Sequence, residues 1–475
     1  MALSQIPILI LAVAVIRLVR SPAARSWLML LASVLAIFWL QPGLPVRGLD
    51  FWLPVVTLLL VVVCWAAVTS PAERGLRENA LTGLALGGLV LAVALTRYLS
   101  LTGLITPSRP PQTLAVVGVI AAATLISGGL FRLPRPLTVA RWILTSLVLA
   151  CFVVLKLPPL AQALSATLRQ LNGQPAALAT ALDLRWLGYS YMAFRLLHTL
   201  RDRQTGRLPA VSLKEYLIYV IFFPSLPAGP LDRLERFVRD LRRGPLSLEE
   251  DLLPSGQRLV TGLFKKFVLA DSLALVALNA TNAAQVKGVG WAWLLLYAYS
   301  LMIYLDFSGY TDIAIGLGRL MGIRLPENFN APYLKPNLTQ FWNSWHMTLT
   351  QWIRGYFYNP LTRVMLRRRE KPIPVWLVVL TGQVATMLLI GLWHGITANF
   401  VLWGLWHGLG LFFQNRWSDW LRPRFSADAL PAWGQMALRA GGTLLTFQYV
   451  TLGWLFFALP APDLSLAMLR RLFGG

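Results

Sequence analysis

Apolar runs close to the length needed to cross a bilayer, about 20 residues, follow one another along this chain. They fall at 5–19, 27–41, 51–69, 80–98, 113–131 and 139–157, then near 257–282, 290–320, 374–393, 397–414 and 441–459. Hydrocarbon offers no water to the peptide groups, so each run must satisfy its hydrogen bonds internally as a helix. The expected fold class is all-α: a polytopic integral membrane protein of about 11 spans. Composition agrees. Of 475 residues, 56% are hydrophobic and 13% charged, too few charges to cover a soluble protein of this size.

The formal net charge is +23. In a soluble protein that would point to nucleic acid. Here the cations cluster in loops: Arg201, Arg203 and Arg207; Arg233, Arg236, Arg239, Arg242 and Arg243; Arg363, Arg367 to Arg369 and Lys371. The positive-inside rule accounts for them without a nucleic-acid partner and places these loops in the cytoplasm, beside anionic lipid headgroups. Cys64 and Cys151 lie within apolar runs and form neither a disulfide framework nor a metal pattern. The first run carries Arg17 and Arg20 at its end, not a small-residue cleavage site, so it is expected to stay as a helix.

The early runs are rich in Leu, Val and Ala and read as lipid-facing packing helices. Segment 158–180, with Gln162, Gln170, Asn172 and Gln174, is more polar and suits the interface. From about residue 184 polar groups enter the apolar stretches: Tyr189, Tyr191 and Arg195 near His198, then Pro224, Pro227, Gly229 and Pro230. The run IFFPSLPAGP cannot be a simple spanning helix, because proline removes donors and irregular backbone at membrane depth needs protein or water around it. A re-entrant or broken segment lining a cavity is expected there.

The triplet Trp-His-Gly occurs twice, at 393–395 and 406–408, in a chain with four histidines. On one continuous helix His394 and His407 would be rotated by roughly 220° and separated by about 20 Å. Gly395, Thr397 and Asn399 favour a break, placing the two on consecutive helices. No Cys, Asp or Glu lies in this stretch to complete a metal site. A buried histidine can act as a general base or simply bond a neighbouring helix, and chemistry alone leaves both open. Residues 339–358, TQFWNSWHMTLTQWIRGYFY, repeat Phe341, Trp345, Trp352 and Tyr356 at helical spacing. Asn343, His346 and Arg354 on that aromatic helix are unusual for plain packing. Upstream, Asp306 and Asp312 lie in or at the end of an apolar helix, where acids normally face a polar interior.

DFSGYTDIAIGLGRLMG, PENFNAPYL, FWNSWHMTLTQWIRGYFYNPL and GLWHG, in this order, resemble the membrane-bound O-acyltransferase (MBOAT) family. The likeness is to its bacterial branch of alginate O-acetylation and teichoic-acid D-alanylation proteins, and it covers about residues 184–415. LGYSYMAFRLL and FFPSLPAGPLDRLERF lean toward D-alanyl transfer, PENFNAPYL toward polysaccharide acetylation. The resemblance implies tilted helices around a central funnel or tunnel. It divides the chain into N-terminal transmembrane helices (1–158), an interfacial connector (159–183), a catalytic core (184–460) and a tail (461–475). It puts the family's essential histidine at His394 and the second active-site position at His346. Around them, Asn343, Trp345, Trp393, Arg354, Asp306 and Asp312 are the candidate substrate-binding residues. His407 has no catalytic counterpart and reads as packing.

The implied reaction moves an acyl group, acetyl or D-alanyl, from a thioester on coenzyme A or a carrier protein to a hydroxyl of an envelope polysaccharide or teichoic-acid-like acceptor. His394 would take the hydroxyl proton and return it to the thiolate. His346 or Asn343 would donate to the oxyanion. With no Gly-x-Ser-x-Gly elbow and no evident Cys nucleophile, direct transfer is favoured over an acyl-enzyme. No tightly bound cofactor is expected; the bilayer and an accessory envelope protein are expected partners. The competing class is a transporter or flippase of a lipid-linked or acyl substrate, built on broken helices with intramembrane charge. Inverted-repeat symmetry would favour it, and none is visible.

Overall fold

The computed structural model describes residues 3–74, 77–99, 103–132, 138–367 and 372–475. Among these every regular element is a helix and no strand occurs. The first six apolar runs are the helices Ile6–Leu18, Pro22–Trp39, Leu49–Val68, Arg77–Leu95, Thr113–Arg132 and Thr138–Lys156. Among the described residues six segments are long and apolar enough to cross a membrane: Pro22–Trp39, Leu49–Val68, Arg77–Tyr98, Thr138–Lys156, Val289–Leu320 and Val375–His394. The chain is a multi-pass helical membrane protein. The expected span at 257–282 is not one straight helix. Leu248–Leu263 passes into a π-helical turn over Phe264–Ala270, and the helical path ends after Asp271–Ala274. The run at 397–414 lies on Ala398–Leu421, and that at 441–459 is divided between Ala432–Gly453 and the short helix Leu455–Ala458. Of the basic loops, Arg363 and Arg367 are exposed, whereas Arg368, Arg369 and Lys371 lie outside the described residues.

The chain forms two compact units. One comprises Met1–Leu259 with Ile313–Leu325, the other Val260–Asp312 with Pro326–Gly475. In the first, prolines follow the helix Leu213–Val220 and leave residues 221–233 non-helical, as IFFPSLPAGP predicts. The carbonyls so released need donors. Arg195, buried on the helix Tyr189–Gln204, supplies them: its guanidinium donates to the carbonyls of Tyr219 (3.1 Å), Val220 (2.8 Å) and Ser225 (3.3 Å) and to Ser225 Oγ (2.7 Å). His198, on the same helix, lies 3.5 Å from Asp202. The stretch from Ser165 to Asp183 is anchored similarly. Asp183 accepts from Ser165 Oγ (2.6 Å), Arg169 Nε (2.9 Å) and Thr180 Oγ1 (2.7 Å). Burial pushes the Asp183 carboxyl up, but these hydrogen bonds outweigh it and hold the group down at about 2.

In the second unit Val375–His394 packs against Ala398–Leu421. The break between them falls at Gly395–Thr397, as expected, with Thr397 as the residue before the second helix. Each Trp-His-Gly triplet is the end of a Gly-Leu-Trp-His-Gly block, at 391–395 and 404–408. The glycines let the backbones approach. A methyl group at Gly404 would sit 2.8 Å from the Met387 carbonyl and the Leu388 Cα; one at Gly408 would sit 2.8 Å from Val384 Cα; one at Gly391 would strike the Phe400 carbonyl. Small residues four apart are the usual means of close helix packing in lipid. The repeated block therefore has a structural reason independent of its histidines.

Candidate active site

Residues 339–358 do not form the single aromatic helix that their spacing predicts. Leu338–Trp342, capped by Asn337 Oδ1 accepting from Gln340 N (2.9 Å), stops at a turn. A second helix, Met347–Ile353, follows, then a π-helical turn over Arg354–Tyr358. The break is at His346, which has φ of 43°, in the left-handed region that residues other than glycine rarely adopt. Such strain is found where surrounding structure fixes it, often at functional sites.

The break turns His346 into a cavity of about 60 Å³ that it shares with His394, the last residue of Val375–His394. The two histidines are 48 positions apart (394 − 346) and come from separate segments. The cavity wall is almost wholly aromatic and aliphatic. Phe307 meets the His346 ring edge-to-face at 4.8 Å and Phe457 meets His394 at 4.7 Å; Phe400, outside the cavity wall, stacks on His394 at 5.8 Å. Trp345 lines it too. Trp393 is buried and is not one of the walls; its ring lies 6.0 Å from that of His346 and 4.5 Å from that of His394. Such walls exclude water and strengthen any polar interaction made inside.

Trp342, Thr350 and Ile390 also line an adjoining cavity of about 380 Å³. This one is more polar, with Thr339, Arg354, Gln383, Thr386 and Asn415 on its walls. Arg354 therefore stands in the larger cavity. Asn343 is exposed, accepts from Arg354 at 2.9 Å through Oδ1, and lines neither cavity. Asp306 and Asp312 line neither as well. Asp312 bonds Lys265 (2.7 Å) and Asp306 bonds Lys266, both lysines on the π-helical turn Phe264–Ala270. Carboxylates in apolar surroundings require such partners. His407 is fully buried between Trp342 (5.0 Å) and Trp403 (4.9 Å) and is not a wall of the histidine cavity. His198 belongs to the other unit.

Sequence reasoning missed the aromatic wall, Phe307, Trp403, Trp454 and Phe457 among it. Trp403 had a signal, standing three residues before the second triplet; Phe457 had none. It also missed Asn328, which sits in the PENFNAPYL stretch and bonds His346.

The model of the membrane-bound O-acyltransferase family matches residues 132–439. The chain belongs to the membrane-bound O-acyltransferase family. Relatives include the teichoic acid D-alanyltransferase of Bacillus subtilis, 32% identical over 45% of this chain and 54% of that protein. The probable alginate O-acetylase of Azotobacter vinelandii is 33% identical over 60% of this chain and 53% of its own length. The peptidoglycan O-acetyltransferase of Helicobacter pylori is 32% identical over 55% and 46%. This member of the family thus spans about half the length of these curated relatives. Both histidines, the aromatic wall up to Trp403 and the polar cavity lie within the family match.

Proposed function

We propose that this chain is an O-acyltransferase that moves a small acyl group, acetyl or D-alanyl, from a thioester to a hydroxyl of an envelope polysaccharide or teichoic-acid-like acceptor. The observation that carries this reading is the shared cavity of His346 and His394 in a member of this family. In the reaction the acceptor oxygen bonds to the thioester carbonyl carbon and the carbon–sulfur bond breaks. The hydroxyl proton passes to the His394 ring and then to the departing thiolate, so no proton or electron is left over. The dry aromatic wall protects the thioester from water. The polar cavity beside it, with Arg354, Gln383 and Thr386, is suited to a hydrogen-bonding arm or sugar on its way to the histidines. Exposed Arg233, Arg239 and Arg243 provide a cationic face for the phosphates of coenzyme A or an acidic carrier protein. The reading places the protein in the cell membrane with its basic loops in the cytoplasm, working with an accessory envelope protein.

The test compares esters released by mild base from the envelopes of three strains: a deletion, the deletion carrying wild type, and the deletion carrying His394→Ala at equal level. An ester that is lost on deletion and restored only by wild type supports the reading, and its identity names the acyl group. Full restoration by His394→Ala overturns it.

A further inference from the structure

The carbonyl oxygen of the Asn328 side chain is ringed by the turn that carries His346. Thr348 N lies 3.2 Å away, Thr348 Oγ1 2.8 Å and His346 Nδ1 3.1 Å. Asn328 is fully buried. Which end of an asparagine amide faces a neighbour is settled by the neighbour's chemistry. The main-chain N–H of Thr348 can only donate, so it must meet the oxygen and not the NH₂. The same oxygen then faces His346 Nδ1, and a carboxamide oxygen only accepts. Nδ1 must therefore carry a proton. In a neutral imidazole the other nitrogen, Nε2, is then the one with the lone pair.

The backbone reinforces the arrangement. Met347 N donates to the Asn328 carbonyl (2.9 Å) and Asn330 N to the Ser344 carbonyl (3.0 Å). These bonds flank His346 on both sides and hold its left-handed conformation. Among the described residues the only other non-glycine with positive φ is Ala331, three positions from Asn328 on the same clamp.

We propose that Asn328 is a positioning residue: it fixes His346 as the Nδ1–H tautomer, so that the neutral ring is an acceptor at Nε2 and not a donor. The consequence for function rests on the acyl-transfer reading. His346 then receives an O–H or N–H of the bound substrates and orients it, and the oxyanion takes its hydrogen bond from another group.

The tautomer is measurable without any activity. Histidine-selective ¹⁵N labelling of the full chain in bilayers gives four ring systems, and His346→Gln identifies the one that disappears. The expected spectrum has a protonated Nδ1 and an unprotonated Nε2 for His346. Asn328→Leu should abolish that preference and lower kcat on the order of 10²-fold, with KM for the donor little changed. Asn328→Asp keeps an acceptor in place. It should keep the tautomer and most of the turnover, and move the acid limb of the pH–rate profile to higher pH, because a carboxylate stabilises the imidazolium. An Nε2–H tautomer in the wild type, or an unchanged tautomer in Asn328→Leu, overturns the proposal. If Asn328→Leu fails to fold, the wild-type and Asn328→Asp spectra decide. If the protein transfers no acyl group, the proposed function falls while the spectrum still decides the tautomer.

Discussion

Arg195 and the pair His346–His394 are all polar groups set among apolar helices, and their surroundings differ. The terminal nitrogens of Arg195 end on three carbonyls and a hydroxyl of a proline-broken segment. The guanidinium is thus consumed by the fold. The histidines instead face a cavity whose other walls are mostly aromatic and aliphatic. A buried polar group that repairs broken backbone is a brace. One that lines a mostly apolar cavity is placed where a ligand can reach it. In lipid both kinds stand out equally in the sequence, so their partners, not their presence, separate them.

The sharpest way to break this comparison is to remove one member of each side. His394→Gln should reduce turnover by about 10²- to 10⁴-fold while thermal unfolding in detergent stays near wild type; equal losses of both would make His394 a brace. Arg195→Met should do the reverse. It strands several buried carbonyls, each costing about 1–3 kcal/mol, so the folded yield should collapse, and any protein that does fold should keep its turnover per molecule. Gly404→Val tests the helix contact beneath the site. The added carbons meet the Met387 carbonyl and Leu388 Cα, and overpacking of this kind costs about 1–3 kcal/mol, visible as a lower unfolding temperature. His407→Leu is the control histidine: a near-isosteric change costing under about 1.5 kcal/mol, with turnover close to wild type. A large loss of turnover there would move His407 into the site.

The smallest effect concerns pH. The Asp183 carboxyl is held down at about 2, below its unfolded value. Its contribution to stability is present above the unfolded value and disappears as pH falls toward 2. Asp183→Asn should therefore narrow the stability difference between pH 6 and acid, measured by thermal scans at each pH, and should leave the acyl-transfer rate unchanged.

Local pattern accounts for much of this. The apolar runs dictated helices because lipid leaves the backbone no other partner. Pro224, Pro227 and Pro230 announced a non-helical segment, and Gly395 with Thr397 announced the break between the two triplets. Such signals act over a few residues and can be read in order. The aromatic spacing over 339–358 failed for the same reason. It scored a continuous helix, whereas bonds from Asn328 and Asn330, outside that window, hold His346 in a turn.

What the sequence by itself determined is the class of molecule, the family likeness and the positions of the histidines. What only the tertiary structure decided is which polar groups meet. It drew His346 and His394 into one cavity, gave Arg354 to the neighbouring one, left Asn343 outside both, and matched Asp306 and Asp312 with lysines from a π-helical turn. Convergence of residues dozens of positions apart depends on how helices pack and on where a strained turn is held. Neither is written in the period of any single segment.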